Sequence, residues 1–311
     1  MISRIRKNIY AKTAFLCVIL IIFLFFIFAK DDNKNKLTDV KEEINYSVNA
    51  FEDISLEAKA AFVWDVNKKE AIYNLNEEAQ LPLASLAKLM TVITAMNILP
   101  ESSIITIDKE AISEEGDSGL FENEKWNLLD IVKFTLISSS NDGASAVANV
   151  AGLLKSDFPS READSKKTFT RAMNEKAKEI GLNQTYFINP TGLDTNEFLG
   201  GGYGSARDMS LLMEYAIVNN MEIFEATKYK ELEFASLNDI NHTAINTNSA
   251  VNSLPGLIAS KTGFTDLAEG NLIIAFDAGI NRPIIITVLG STQNGRFRDV
   301  EKLLDIILKN L

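Results

Sequence analysis

The sequence predicts an α/β domain whose sheet is completed by distant parts of the chain, with a helical lobe inserted between them. Strand-like segments stand near both ends of the globular part, and helical segments fill its middle. Of the 311 residues, 46% are hydrophobic, which is enough for a packed core. We therefore expect one domain over residues 51–311.

The spacing of apolar residues predicts the elements in order. Residues 58–66 and 70–75 are predicted strands joined by a polar turn at 67–69. Leu86, Leu89, Met90 and Ile93 recur at helical spacing, which predicts a helix from Ser85 to about Ile98. Residues 183–204 are predicted to be loop-like. Further helices are predicted at 128–136, 144–154, 168–180, 205–218 and 299–308, and further strands, covered on both faces, at 272–276 and 284–289.

The N-terminus differs from the rest of the chain in charge. The first 30 residues carry five bases and no acid, so the remainder has a net charge of −16 against −11 for the whole. The apolar run Ala14–Ala29 would span roughly 24 Å as a helix, slightly less than a hydrocarbon core of about 30 Å. We expect residues 1–30 to be a cytoplasmic tail and membrane anchor, 31–50 a polar linker, and the domain to be exported. A cleaved, secreted form is the alternative.

The composition excludes several classes of protein. One Cys excludes a disulfide framework, and one His excludes metal sites that need two imidazoles. The acidic net charge argues against nucleic acid as a partner. We expect no metal and no cofactor, and we expect His242 to lie on the surface within its polar stretch.

The first chemical motif is Ser85-Leu86-Ala87-Lys88. Residues three apart share one face of a helix, so Lys88 can reach the Ser85 hydroxyl. A serine becomes a nucleophile when a base takes its proton, and a lysine serves if burial lowers its pKa. Alone, the motif fits equally a capping serine and a solvated lysine.

Two further motifs follow in order. Ser139-Ser140-Asn141 stands between two predicted helices, where a hydroxyl could pass a proton and an amide could hold a substrate. Lys261-Thr262-Gly263 precedes an apolar strand, where a cation and a hydroxyl can bind a carboxylate. Each could instead be an ordinary turn. The order of the three is much more specific, since an S-x-x-K motif with two such partners characterises penicillin-binding proteins and class A β-lactamases.

The chain resembles the serine-type D-alanyl-D-alanine carboxypeptidases, the low-molecular-mass penicillin-binding proteins. The resemblance covers about residues 51–311 and includes segments beyond the motifs: LPLASLAKLMTVITAM, EEGDSGLFENEKWNLLDIVKFTLISSSNDGASAVA, MNEKAKEIGLNQTYFINPTGLD, GSARDMSLL and GLIASKTGFTDLAEGNLIIAF. It implies the β-lactamase/transpeptidase-like fold, an antiparallel sheet flanked by helices with an inserted helical lobe. It also implies removal of the terminal D-Ala from peptidoglycan stem peptides, with β-lactams as inhibitors.

The resemblance also implies the residue roles. Ser85 would be the nucleophile, Lys88 the base and Ser139 a proton relay. Backbone N–H groups of Ser85 and Phe264 would form the oxyanion hole. The remaining implied substrate-binding residues are Asn141, Lys261, Thr262, Gly263, Thr265 and Arg296, with Arg298 a near alternative to Arg296.

The chain departs from the family pattern in a few places. Ser140 replaces the usual Gly, Ala87 replaces the usual Thr, and we expect both changes to be tolerated. The chain also stops without the β-rich second domain and amphipathic tail of many relatives, so the N-terminal segment would replace that anchor. The alternatives are a D-Ala endopeptidase, a membrane-anchored β-lactam sensor, and a β-lactamase, for which the 183–204 loop offers only Glu197.

Overall fold

The structure is a computed structural model that describes residues 50–155 and 162–310. Residues Ile54–Leu311 form one compact unit. Among the described residues, no helix has the length and apolar character needed to cross a membrane. The predicted anchor at 1–30 and nearly all of the predicted linker at 31–50 lie outside the described residues.

The described residues contain strands and helices in mixed order. The strands are β1 (Ala60–Asp65), β2 (Glu70–Leu75), β3 (Leu81–Pro82), β4 (Ile104–Thr106), β5 (Lys125–Asn127), β6 (Tyr186–Phe187), β7 (Gly202–Gly204), β8 (Glu231–Ala235), β9 (Asn241–Ile245), β10 (Leu257–Thr265), β11 (Glu269–Asp277) and β12 (Pro283–Ser291). The α-helices are α1 (Ala87–Ile98), α2 (Lys109–Ile112), α3 (Leu128–Ser138), α4 (Asn141–Lys155), α5 (Glu162–Ile180), α6 (Ala206–Asn219), α7 (Met221–Phe224) and α8 (Gly295–Asn310). Short 3-10 turns occupy Ala84–Leu86 and Glu225–Lys228.

The main sheet joins the two ends of the domain, as the sequence predicts. Its strand order is β10-β11-β12-β1-β2, and every neighbouring pair is antiparallel. The apolar runs 272–276 and 284–289 are fully buried, because α6 and α8 both pack against β12. The predicted fold class is confirmed, and strand β10 lies at one edge of this sheet with its outer side free to meet the helical lobe.

The predicted helices are all present, but three of them begin earlier than predicted. They start at Asn141, Glu162 and Gly295 instead of residues 144, 168 and 299. At the first of these, Ser140 Oγ accepts a hydrogen bond of 2.9 Å from Gly143 N–H and caps the helix. The first turn is therefore built from polar and small residues, which add nothing to the apolar periodicity that predicts a helix.

The prediction of a surface position for His242 is wrong. His242 is only 8% exposed, and its Nε2 lies 2.6 Å from Glu124 Oε1. It lies on β9 of the β8–β9 hairpin, which was not predicted from the sequence. Burial alternates along β9, so His242 faces inward and packs beside the ring of Trp126, with the ring centres 5.1 Å apart. The polar neighbours in sequence face the other way, which explains the error.

Candidate active site

Ser85 and Lys88 lie at the start of the central helix of the lobe. Ser85 is in the 3-10 turn, and Lys88 follows one turn later on α1. The Lys88 Nζ donates a hydrogen bond of 2.9 Å to Ser85 Oγ. The spacing of the motif therefore brings the two side chains together, and the alternative of a solvated lysine is excluded because Lys88 is fully buried.

The Lys88 ammonium group has three acceptors from distant segments. Besides Ser85 Oγ, it donates to Asn141 Oδ1 at 2.6 Å and to the Thr191 carbonyl at 2.7 Å. Burial lowers the pKa of Lys88 from 10.5 to about 7, although the negative charges of Glu114 and Asp142 act in the opposite direction. A substantial fraction of this side chain is therefore neutral near pH 7 and able to accept a proton from a serine.

The middle motif occupies the sharp connection between α3 and α4. Ser139 has a left-handed backbone, with φ at 60° and ψ at 32°, which is uncommon outside glycine. Its Oγ accepts a hydrogen bond of 2.9 Å from Lys261 Nζ. Both ends of the Asn141 amide are also engaged, since Oδ1 accepts from Lys88 and Nδ2 donates to the Glu115 carbonyl at 2.6 Å. The motif is thus connected to both lysines rather than forming a simple polar turn.

The third motif lies on the edge strand β10. Lys261 is buried, and its Nζ donates to Ser139 Oγ and to the Thr262 carbonyl, each at 2.9 Å. Burial lowers the pKa of Lys261 well below its usual value, and the positive charges of Lys88 and Arg296 lower it further. Thr262 Oγ1 lies 2.6 Å from the hydroxyl of Thr247.

Gly263 lets the edge strand lie directly against the nucleophile turn. A Cβ atom at this position would come within 2.8 Å of the Leu83 carbonyl oxygen and 3.3 Å of the Ser85 nitrogen. A contact of 2.8 Å is too short for a real Cβ atom and would involve backbone, which cannot move cheaply. The absence of a side chain therefore fixes how closely β10 approaches Ser85.

Arg296, at the start of α8, points to the same strand. Its Nη1 donates a hydrogen bond of 2.7 Å to the Gly263 carbonyl, and burial lowers its pKa to about 10. Its Nε has no hydrogen-bond partner among the described residues. Arg298 instead makes an ion pair with Glu57 on the surface. Of the two arginines that the sequence left open, the structure therefore brings Arg296 to the site.

Phe264 and Thr265 end the strand at the rim of the site. The side chain of Phe264 is 44% exposed, so its ring lies at the surface. Thr265 Oγ1 donates a hydrogen bond of 3.0 Å to Asp194 Oδ1. A substrate carboxylate would have to compete with Asp194 for this hydroxyl, so the structure gives Thr265 a different partner from the one the family resemblance implies.

Sequence reasoning missed the groups that hold these side chains in place. Two are backbone carbonyls, at Glu115 and Thr191, and such groups leave no trace in a sequence motif. The segment that contains Thr191 and Asp194 has the sequence NPTGLD, which resembles a family pattern. This pattern was the one feature of the sequence that could have indicated a role for the segment in the site. Its Asn189 side chain organises the turn by accepting from the N–H groups of Thr191 and Gly192.

The two departures from the family pattern are both accommodated. Ser140 caps α4, and its Oγ lies 2.7 Å from the hydroxyl of Ser118. Ser118 belongs to the stretch Gly116-Asp117-Ser118-Gly119, which is an irregular loop. Ala87 is fully buried against Gly192.

The chain is similar to known proteins in sequence and in structure. The family model for D-alanyl-D-alanine carboxypeptidase matches residues 47–293. The D-alanyl-D-alanine carboxypeptidase DacF of Bacillus subtilis is 31% identical over 259 residues, covering 81% of this chain and 62% of DacF. The D-alanyl-D-alanine endopeptidase of Escherichia coli is 26% identical over 78% of this chain and 75% of its own length.

Solved structures show the same fold. Penicillin-binding protein D2 of Listeria monocytogenes, solved in its ampicillin-bound form, superposes with a TM-score of 0.65. It is 26% identical, and the match covers 82% of this chain and 98% of that one. The chain spans less than two thirds of the length of DacF. Because the family model covers most of the residues from the first strand to the last, the chain belongs to the D-alanyl-D-alanine carboxypeptidase family.

Proposed function

We propose that this protein is a serine-type D-Ala-D-Ala carboxypeptidase that removes the terminal D-alanine from peptidoglycan stem peptides. The observation that carries the proposal is the buried Lys88, whose Nζ lies 2.9 Å from Ser85 Oγ and whose pKa is lowered to about 7. A lysine in this state is a base at neutral pH, and it is directed at a hydroxyl. Family membership supports the same reaction.

In the proposed reaction, Ser85 Oγ attacks the carbonyl carbon between the two D-alanines, and Lys88 takes the hydroxyl proton. The backbone N–H groups of Ser85 and Phe264 stabilise the oxyanion. Ser139 then passes a proton to the departing amine of the terminal D-alanine. Its contact with Lys261 supports this role, because Lys261 can replace the proton that Ser139 gives up. Water then attacks the resulting ester. One proton of that water goes to Lys261, which restores the proton that Lys261 gave up, and Ser85 Oγ leaves with the proton that Lys88 holds.

Substrate recognition would use the edge strand β10 and the cations beside it. The outer edge of a sheet can accept an extended peptide as an additional strand. The guanidinium group of Arg296, the amino group of Lys261 and the hydroxyl of Thr262 would hold the terminal carboxylate. Asn141 would hold the amide on the other side of the scissile bond, and Gly263 keeps the strand close to Ser85. We assign Thr265 to the same strand edge, where Asp194 holds its hydroxyl.

The same serine would react with β-lactams, which would act as inhibitors by forming a stable ester. A β-lactamase would need a group that activates water against that ester, and Glu197 does not fit this role. It is exposed in a tight turn closed by hydrogen bonds between Thr195, Asn196 and Leu199. The deacylating water in our proposal is therefore not assigned to a carboxylate.

We also propose the location of the enzyme. The apolar run at 14–29 follows a basic tail, which supports an anchor with the catalytic domain, residues 51–311, outside the cytoplasm. Residues 31–50 would link the two. A cell-wall substrate lies on that side of the membrane, so the proposed topology and the proposed substrate agree.

An endopeptidase that cuts peptidoglycan cross-links is the second candidate. It is favoured by the match to the E. coli endopeptidase, of which this chain spans 75%, compared with 62% of DacF. Both reactions use the same serine chemistry. They differ in whether the leaving amine belongs to a free D-alanine or to a neighbouring stem peptide.

The test uses the full chain and a fluorescent penicillin. We expect labelling of the wild type and of the matched control Ser102→Ala, which alters an exposed serine, and no labelling of Ser85→Ala. Mass spectrometry of a pentapeptide should show D-alanine release, and Lys88→Ala should lose it. Labelling that survives in Ser85→Ala would refute the nucleophile, and cleavage of cross-linked dimers without D-alanine release would favour the endopeptidase.

A further inference from the structure

A cavity of about 540 Å³ opens next to the catalytic groups and has no part in the reaction described above. Three segments line it: residues 113–115, which directly follow α2, the first half of α5, and the chain from Ile188 to Thr195. The charged lining residues are Glu114, Glu115, Lys166, Lys167 and Asp194. Helix α5 therefore forms one polar wall of the cavity, and the segments 113–115 and 188–195 form the other.

Three hydrogen bonds connect the cavity wall to the site. The Thr191 carbonyl accepts from Lys88, the Glu115 carbonyl accepts from Asn141, and the Asp194 carboxylate accepts from Thr265. The same residues thus accept hydrogen bonds from the catalytic groups and line the cavity. A ligand in the cavity would be continuous with a substrate at Ser85.

The order of residues along β10 says which part of a substrate would reach the cavity. Lys261 and Thr262 lie at the carboxylate end, Gly263 lies against Ser85, and Thr265 contacts the cavity wall at Asp194. Thr265 lies two positions after Gly263, which is roughly 7 Å along the strand. A peptide lying along this edge, with its scissile carbonyl at Ser85, would bring the residue before its penultimate D-alanine to the mouth of the cavity.

The charges of the cavity fall into paired and unpaired groups. Lys166 is neutralised within the protein, because it contacts Glu110 at 2.8 Å and Glu114 at 2.9 Å. Within residues 50–155 and 162–310, neither the Glu115 carboxylate nor the Lys167 ammonium group makes an ion pair. They lie on different segments of the wall, one on the loop and one on α5. Asp194 also lacks an ion pair, but its carboxylate accepts hydrogen bonds from Thr265 Oγ1 and from Leu267 N–H. In the part of the chain that the structure describes, the charged lining side chains without a partner of either kind are thus Glu115 and Lys167.

We infer that this cavity binds the side chain of the third stem-peptide residue and selects one that ends in both an ammonium and a carboxylate group, as in meso-diaminopimelate. Lys167 would bind the carboxylate, and the Glu115 side chain would bind the ammonium group. A side chain that ends in an ammonium group alone, as in L-lysine, would leave Lys167 unpaired. The inference rests on the proposed function for the identity of the peptide.

The test compares three synthetic pentapeptides that differ only at the third residue: meso-diaminopimelate, the same residue amidated at its side-chain carboxylate, and L-lysine. We expect the wild type to prefer the first over the amidated form by about fivefold in kcat/KM, the factor typical of an ion pair that is partly exposed. Lys167→Gln should bring that ratio to about one. Glu115→Gln should lower kcat/KM for all three peptides, since each carries the side-chain ammonium group.

The matched control is Lys178→Gln, which removes an exposed lysine further along α5, outside the cavity. It should keep the wild-type ratio. A wild-type ratio of one, or a ratio that Lys167→Gln leaves intact, would overturn the inference.

Competition against fluorescent penicillin for Ser85 separates this inference from the proposed function, because it measures binding without turnover. If no peptide releases D-alanine, the proposed function fails. The inference still stands in that case if the diaminopimelate peptide competes better than its amidated form in the wild type but not in Lys167→Gln. Equal competition in both proteins would overturn it.

Discussion

The buried state of Lys88 predicts that this protein becomes more stable as the pH rises above neutral. The pKa of Lys88 is about 7 in the folded protein, compared with 10.5 for a lysine in water. Below pH 7 the lysine is charged in both the folded and the unfolded chain, so the folded state carries the full cost of burying the charge. Between the two pKa values the unfolded chain binds more protons, and the free energy of unfolding therefore rises with pH.

The magnitude follows from the difference between the two pKa values. At about 1.4 kcal/mol per pKa unit, the shift amounts to roughly 5 kcal/mol over the whole interval. Replacing Lys88 with methionine removes the titrating group and keeps an unbranched side chain that is one heavy atom shorter. The substitution also removes the hydrogen bonds of Lys88, and their loss lowers the free energy of unfolding by the same amount at every pH. It therefore shifts the plot of unfolding free energy against pH without changing the slope of that plot. The variant still becomes more stable as the pH rises, because burial lowers the pKa of Lys261 as well.

The assay is urea unfolding of the wild type and of Lys88→Met at several pH values from 6 to 9. We expect the free energy of unfolding of the wild type to rise more steeply with pH than that of the variant, by several kcal/mol across this range. Lys178→Met, which removes an exposed lysine, should follow the wild type. Parallel curves for the wild type and Lys88→Met would refute the reasoning, because they would mean that burial does not shift the pKa of Lys88.

Three further predictions concern single contacts. Gly263→Ala should slow acylation by penicillin at least tenfold while the chain stays folded, because the added Cβ would lie 2.8 Å from the Leu83 carbonyl; stopped-flow labelling at an unchanged rate would contradict this. His242→Ala should lower the free energy of unfolding by about 3 kcal/mol, because it leaves the Glu124 carboxylate buried without its partner; a loss below 1 kcal/mol in urea would show that the pair is dispensable. Arg296→Met should raise KM for a pentapeptide about tenfold with a smaller change in kcat, because the terminal carboxylate loses a charged hydrogen-bond donor, and an unchanged KM would remove Arg296 from the binding site.

Much of the fold was predictable, because apolar periodicity reports local structure wherever one face of an element is buried. The strands β1, β2, β11 and β12 and the helix α1 follow this rule. The β8–β9 hairpin was not predicted, because each of its strands has only five residues and turns only two side chains inward. His242 was misplaced for the same reason: its sequence neighbours are solvated, but its own side chain belongs to an aromatic cluster contributed by other segments.

In the candidate site, too, features local in sequence were predictable, whereas contacts between distant segments were not. The three motifs and their order could be predicted, since each is a short run of residues with its own chemistry. The choice between Arg296 and Arg298 could not, because only the packing of α8 against the sheet decides which one reaches β10. The hydrogen bond between Thr265 and Asp194 could not be predicted either, since the two residues lie 71 positions apart in the chain.

The sequence by itself determined which chemical groups this protein has, in which order, and that its acidic domain follows a basic apolar segment. Only the tertiary structure decided what those groups can do. Lys88 is an ordinary lysine in the sequence and becomes a base near neutral pH because α1, the middle motif and the Thr191 segment, up to 103 residues apart, close around it and exclude water. A pKa depends on desolvation and on charges from every side, and chain segments distant in sequence supply both.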